Sequence, residues 1–208
     1  MLLINEARKL IRTMMHYVAL QLHRLSKGKL HPNVVTITGV LMHIPIAFLI
    51  AQGEHPFIAA VLLIIFGLFD TLDGELARLQ NRSSPQGMLL DASTDRMKEV
   101  MLYTAIAWLF TSGDYPHDAI WAVWACGASL CVSYVKAKGE AAVASLSDPI
   151  PHHILNRMFK DGLLTFELRI ALLIIGLFTG QLLYVTIAIA ILATYTALQR
   201  LVIISRHL

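Results

Sequence analysis

The chain has 208 residues, of which 56% are hydrophobic and only 15% charged, with a mean hydropathy of +0.63. Soluble globular domains run nearer about 45–50% apolar and about 25% charged, and here the apolar residues fall in long blocks, which excludes an ordinary soluble domain. Despite a formal net charge of +3, no nucleic-acid partner is expected; the composition is that of a polytopic helical membrane protein.

In chain order, the opening MLLINEARKLIR lacks a compact apolar core followed by a small-residue cleavage site, so no cleavable signal is expected. Residues 5–26 carry Leu10 or Ile11, Met14 or Met15, Val18, Leu22 and Leu25 on one helical stripe, with Arg8, Lys9, Arg12 and Arg24 around much of the rest. That pattern predicts an amphipathic helix lying in the membrane interface, its basic residues toward anionic head groups. His31-Pro32-Asn33 ends it and opens the first span, with proline suited to a helix N-terminus. Apolar runs then predict six spans, at about 34–51, 56–78, 88–110, 118–140, 162–179 and 182–203. The links AQGEHP, TSGDYPHD and FTGQ contain no Lys or Arg, so all 17 basic residues fall on the opposite side. By the positive-inside rule both termini and the 70–95 region face the cytoplasm, in the cytoplasmic membrane. Cys126 and Cys131 lie on one predicted helix and point in different directions, which argues against an intrachain disulfide. There is no internal repeat or low-complexity linker. The expected fold is an all-α integral membrane protein: a juxtamembrane amphipathic helix over 1–30 and one six-helix membrane domain over 31–208.

The most informative run is Asp70-x-x-Asp73-Gly74-x-x-Ala77-Arg78, then Gly87-x-x-x-Asp91-x-x-x-Asp95. Carboxylates at bilayer depth are costly and need partners. With no equal number of intramembrane Lys or Arg to pair with them, the expected partner is a divalent metal. Helix rise places Asp70 about 20 Å from the outer end of its span and Asp95 about 22 Å from the outer end of its own, similar depths in the cytoplasmic third. The i, i+3 and i, i+4 spacings put each pair on one helix face, so two helices joined by a short loop bring four carboxylates together. Hard oxygen ligands suit Mg²⁺ or Mn²⁺, and four of them can hold two ions that complete their shells with substrate phosphate. The implied substrate is a diphosphate. Gly74, Gly87 and Ala77 remove bulk either where something approaches the backbone or where helices pack together, and Arg78 either clamps a phosphate or a carboxylate or simply follows the positive-inside bias.

The 26-residue run matches, without departure, the signature of the CDP-alcohol phosphotransferase family, D-x2-D-G-x2-A-R-x8-G-x3-D-x3-D, and the six-span topology with a preceding interfacial helix also resembles that family. The resemblance implies a homodimer that uses two metal ions to transfer a substituted phosphate from a CDP-linked alcohol to an acceptor hydroxyl, releasing CMP. It implies that Asp70, Asp73 and Asp91 are metal ligands, that Asp95 is a metal ligand or the general base, and that Gly74, Ala77, Arg78 and Gly87, with Asp73, shape the CDP pocket. A carboxylate not consumed by metal can take the hydroxyl proton, and Asp95, one turn deeper than Asp91, is the candidate.

The position of the site suggests a CDP-linked lipid as donor, CDP-diacylglycerol or CDP-archaeol, with its tails among the membrane lipids. Ser133-Tyr134-Val135-Lys136-Ala137-Lys138-Gly139-Glu140 resembles the corresponding stretch of phosphatidylinositol-phosphate and archaetidylinositol-phosphate synthases, which implies inositol phosphate as acceptor and Lys136, Arg169 and Arg200 as its phosphate ligands. That subgroup carries two nearby Arg at the start of span five; here only Arg169 is present, with Phe166 near the other position, which leaves glycerol 3-phosphate as the alternative acceptor. The histidines are not at metal-ligand spacing; His43, beside Pro45 in span one, is expected to bond a neighbouring carbonyl. The 145–161 loop, with Pro149, Pro151, His152 and His153, is a candidate cover for the pocket. A divalent-cation transporter is the remote alternative, disfavoured because transporter sites tend toward the midplane.

Overall fold

A computed structural model of the chain describes residues 2–146, 163–206 and 208. Among these every regular element is helical: α1 (Leu2–Leu25), α2 (Pro32–Gln52), α3 (Pro56–Gly67), α4 (Phe69–Leu79), α5 (Pro85–Thr111), a 3₁₀ turn at Pro116–Asp118, α6 (Ala119–Ala144), α7 (Phe166–Thr179) and α8 (Leu182–Ser205). Local signals account for the boundaries. Pro32 is the first residue of α2, and His31 Nδ1 accepts from the Asn33 N–H at 3.2 Å. Gly53, at φ 71°, closes the same helix in the left-handed region and returns its N–H to Leu49 and Ile50. Pro85 opens α5 behind a Ser84 cap, whose hydroxyl accepts from the Gly87 N–H at 3.1 Å. That start is three residues earlier than the apolar pattern predicted, because Ser84-Pro85-Gln86 is a polar but well-capped first turn.

Among the described residues, four segments are long and apolar enough to cross a bilayer: Pro32–Gln52, Pro56–Leu79, Pro116–Ala144 and Leu182–Ser205. The second comprises α3 and α4, separated by the single turn residue Leu68. Helices also stand where the third and fifth spans were expected. In α5, Asp91, Asp95, Arg96, Lys98 and Glu99 crowd the N-terminal half, and α7 has 14 residues.

One core runs through α2, α3, α5, α6, α7 and α8. Helices α6 and α8 pack closely, and many of their buried residues are small, Ala122, Ala125 and Ala128 on one and Ala190, Ala193 and Ala197 on the other, which lets backbones approach closely where lipid gives helices no hydrophobic drive to associate. Threonine hydroxyls in α8 bond back to the preceding turn, Thr186 to Leu182 O and Thr196 to Leu192 O, both at 2.7 Å. In α2, His43 Nδ1 donates to Gly39 O at 2.7 Å, the carbonyl bond expected for it. The outward faces stay apolar, with Phe48, Phe57, Ile65, Trp108, Ile120, Tyr184 and Ile191 exposed, as a surface meeting lipid requires.

A second, smaller core shows that α1 also docks on the rest of the molecule. Met15, Ala19 and Leu22 of α1 meet Leu72 and Leu76 of α4 and Val35 of α2. The expected single stripe is therefore split: Met15 and Leu22 turn inward, while Leu10, Met14, Tyr17, Val18 and Leu25 remain exposed.

Candidate active site

Helix α2 packs against both α4 and α5, and the site lies where the three meet. The α4–α5 link reverses the chain tightly. Asn81 adopts φ 55°, Arg82 N bonds Ala77 O at 2.9 Å and Asn81 N bonds Arg78 O at 3.2 Å, the paired closing bonds of a Schellman-type helix end. Gln80 Nε2 fastens the reversal to Leu30 O at 2.9 Å. The aspartates of α4 and α5 are thereby held on facing elements.

Three of them converge. Asp70, Asp91 and Asp95 each offer a carboxylate oxygen, all within 4.8 Å of one another. Asp91 Oδ1 is buried and finds no hydrogen-bond partner among the described residues. Buried polar atoms are rarely left so, and an unpartnered oxygen on a carboxylate that converges with two others fits a cation of the hard, oxygen-seeking kind. Asp73 stands slightly apart: it is buried and accepts a hydrogen bond from the Thr36 hydroxyl of α2.

A cavity of about 360 Å³ opens beside the cluster, and its lining contains Asp70, Asp73, Gly74, Ala77, Arg78, Gly87 and Asp91, nearly the whole motif, with Asn33 and Thr36 from α2. Asp95 is not in the lining. Packing does not require the two glycines: a Cβ on Gly74 would meet only the Arg78 guanidinium at 3.6 Å, and one on Gly87 only Ser84 Oγ at 3.4 Å and Asn33 Oδ1 at 3.9 Å. Gly176 is the contrast, where a Cβ would come within 3.2 Å of Leu182 and Val185. The motif glycines keep the cavity wall bare.

The carboxylates are not without counter-charge, which corrects the expectation drawn from sequence. Lys98 of α5 donates to Asp70 and lies 3.3 Å from Asp95. Arg96 lies 3.5 Å from Asp95 and 3.0 Å from Glu99, donates to Ser133 of α6, and stacks 4.9 Å over the Phe166 ring of α7. In the sequence both belong to the basic set on one side of the membrane, and the i, i+3 spacing of Asp95 and Lys98 is the local signal of their pairing. Glu75 was also missed. It is buried on α4 and gathers Arg12 at 2.8 Å, His16 at 3.2 Å and Arg78 at 2.6 Å, tying α1 to the residue that lines the cavity.

The three basic residues expected at the acceptor differ in their surroundings. Lys136 is half-exposed on α6, 3.8 Å from Glu140. Arg169 is 1% exposed and fully engaged, its Nε and Nη2 on the Glu99 carboxylate at 2.7 and 3.1 Å and its Nη1 on Leu164 O at 3.1 Å. Arg200, buried on α8, donates weakly to Val132 O at 3.4 Å, and its Nε has no partner among the described residues. Where the sequence lacks a second Arg, Phe166 instead carries the Arg96 guanidinium. The expected covering loop at 145–161 lies, from residue 147 on, outside the described residues.

Paired acidic helices in a bundle of long apolar helices, beside a cavity walled by the motif glycines, fit a divalent cation held within a membrane-type helical domain. The family model for CDP-alcohol phosphatidyltransferases matches residues 29–199. The chain belongs to that family of phospholipid-synthesis enzymes. It is 34% identical over 184 residues to the phosphatidylinositol phosphate synthase of Corynebacterium glutamicum, covering 85% of this chain and 78% of that one. It resembles the crystal structure of Mycobacterium tuberculosis phosphatidylinositol phosphate synthase with CDP-DAG bound, at a TM-score of 0.76 and 25% identity over 92% of this chain and 94% of that one. The same fold recurs in that enzyme's complex with manganese and citrate, at a TM-score of 0.75 and 24% identity over 92% and 88% of the two chains.

Proposed function

We propose that this chain transfers the phosphatidyl group of CDP-diacylglycerol to a hydroxyl of inositol phosphate, releasing CMP. The observation that carries the reading is the convergence of Asp70, Asp91 and Asp95 within 4.8 Å beside the motif-lined cavity. The names of the relatives, which are phosphatidylinositol phosphate synthases, support the acceptor.

In this reading the diphosphate lies against Asp70, Asp73 and Asp91, which hold two Mg²⁺ or Mn²⁺ ions, with Asp95 completing the ligand set. When bound, such ions neutralise the diphosphate and the departing CMP. Gly74, Ala77 and Gly87 let the nucleotide approach the backbone, and Arg78, steered by Glu75, faces its phosphates. The acceptor hydroxyl attacks the β-phosphorus and forms the new P–O ester. The bond to the bridging oxygen breaks with its electron pair going to CMP, and the hydroxyl proton passes to an Asp95 carboxylate oxygen. Arg200, buried with an unpartnered Nε, is the strongest of the acceptor-phosphate candidates; Lys136 is a second cation on the same side. Arg169 contributes by holding Glu99 and thereby Arg96.

We further infer a six-crossing topology in which α5 and α7 join the four long apolar segments, with both termini and the site at the cytoplasmic face of the cell membrane. The basic-free links at 53–55, 112–118 and 180–181 support it. The exposed Leu10, Met14, Tyr17, Val18 and Leu25 of α1, flanked by Lys9, Arg12 and Arg24, suit an interfacial helix that also docks on α4. Residues 1–30 then form the juxtamembrane unit and 31–208 the membrane domain, working as a homodimer.

The test is CMP release by purified protein in detergent with CDP-diacylglycerol and inositol 1-phosphate, before and after EDTA, for wild type, Asp70→Asn and Asp91→Asn, alongside Mn²⁺ flux in vesicles. Release that is lost with EDTA, restored by Mg²⁺ or Mn²⁺ and absent in both variants is expected. Metal flux without CMP release would overturn the enzymatic reading in favour of a transporter.

A further inference from the structure

Lys98 is the one buried ammonium described in the chain that points into the carboxylate cluster. It stands on α5 three residues past Asp95, its side chain 1% exposed. Both of its hydrogen bonds run to cluster carboxylates, Asp70 on α4 and, at 3.3 Å, Asp95 on its own helix. These are two of the three groups that converge within 4.8 Å. Lys98 is absent from the cavity lining, and its burial rules out the snorkelling by which basic residues usually reach an interface. A buried ammonium is costly unless closely paired, and carboxylates gathered without a cation repel one another. Each answers the other: the ammonium fills, with a single charge, the position between Asp70 and Asp95 that a divalent ion would use.

We propose that Lys98 is a resident counter-cation of the carboxylate cluster, one that holds Asp70 and Asp95 together when no ion is bound and competes with a divalent ion for their oxygens. The inference rests on the reading that the cluster holds divalent ions. A divalent ion bound by Asp70 and Asp95 must displace the ammonium or sit beside it. Repulsion between a double and a single positive charge a few ångströms apart, even in a strongly screening environment, weakens binding by at least about tenfold. The free protein therefore binds its ions loosely on the Asp70–Asp95 side. Asp91, which Lys98 does not hydrogen-bond and whose Oδ1 is unpartnered among the described residues, is the tighter ligand. Negative charge arriving with a diphosphate offsets the ammonium and favours ion loading together with the substrate.

The experiment is a Mn²⁺ titration of the purified full chain in detergent, without nucleotide, following the electron paramagnetic resonance signal of free Mn²⁺. Wild type is compared with Lys98→Met, Lys98→Gln and Lys98→Arg, and with Asp91→Asn as control. Both neutral variants are expected to bind Mn²⁺ at least about tenfold more tightly than wild type, and Lys98→Arg within about threefold of it. Neutral variants no tighter than wild type, or Lys98→Arg as tight as Lys98→Met, would overturn the inference. Should Lys98→Met not fold in EDTA, Lys98→Gln keeps a hydrogen-bonding side chain of similar reach without the charge. Should both unfold in EDTA, Mn²⁺ is expected to restore the folded protein by taking the ammonium's place, and failure to do so overturns the inference. Wild type that takes up no Mn²⁺, or Asp91→Asn that binds it as well as wild type, would instead remove the metal reading on which the inference rests.

Discussion

Arg169→Met separates two roles that this arginine could play. Its guanidinium and the Glu99 carboxylate are each 1% exposed and joined by bonds of 2.7 and 3.1 Å, with a third bond from Arg169 to Leu164 O at 3.1 Å. Removing one partner of a buried ion pair leaves an uncompensated charge and costs about 3–5 kcal/mol. Arg169→Met falls toward the lower end, because Glu99 keeps Arg96 at 3.0 Å. Glu99→Met falls toward the upper end, since Arg169 then retains only the Leu164 carbonyl. The double variant Glu99→Met/Arg169→Met leaves neither charge behind, so it should return to within about 2 kcal/mol of wild type, as apolar replacements of buried pairs commonly do. The assay is reversible denaturation in mixed detergent micelles of all four proteins, with KM for the acceptor measured in parallel. An Arg169→Met protein as stable as wild type but with a sharply raised acceptor KM would refute the structural role and make Arg169 a free phosphate ligand.

The remaining predictions follow from the site. Asp95→Asn should lower turnover by about 10²–10⁴-fold while CDP-lipid binding changes little; equal losses of binding and rate in a ligand-binding and CMP-release comparison would sink the base assignment. Thr36→Val removes the hydroxyl that donates to Asp73 and should weaken divalent-ion binding about 10–100-fold, the usual cost of losing a group that orients a ligand; unchanged Mn²⁺ affinity would contradict it. Gly74→Val has room for its Cβ, 3.6 Å from Arg78, so the protein should fold with a normal melting curve. Its side chain should nevertheless cost about tenfold or more in CDP-lipid affinity by crowding the cavity, and intact affinity would show that the nucleotide lies elsewhere.

What the sequence made legible is what it states locally. His31-Pro32-Asn33 marks the start of α2 because a cap and an N1 proline act within a few residues, and the Asp motif stands out because carboxylates are costly at that depth. The turn at Leu68 has a weaker signal: Gly67 precedes it without a proline or a side-chain cap, and the Leu68 N–H still bonds back to Ile64 and Ile65 at 3.3 Å. Pairings between distant elements were the least visible. Arg169 with Glu99, 70 residues apart, and Glu75 with Arg12, 63 apart, are set by how α5 meets α7 and how α1 meets α4. Helical periodicity shows which face a residue occupies and not which helix covers it. For that reason Lys98 and Arg96 read as topological charges until the helices were seen packed.

The acceptor experiment tests the central claim most directly: CMP release from CDP-diacylglycerol with Mg²⁺, offering inositol 1-phosphate, glycerol 3-phosphate, free inositol and serine separately. Release with inositol 1-phosphate alone is the predicted result, and it would show that Phe166, in place of a second arginine, is compatible with an inositol phosphate acceptor. Release with glycerol 3-phosphate and not with inositol 1-phosphate would contradict the account, and assign the basic residues around Arg200 to a smaller phosphorylated acceptor.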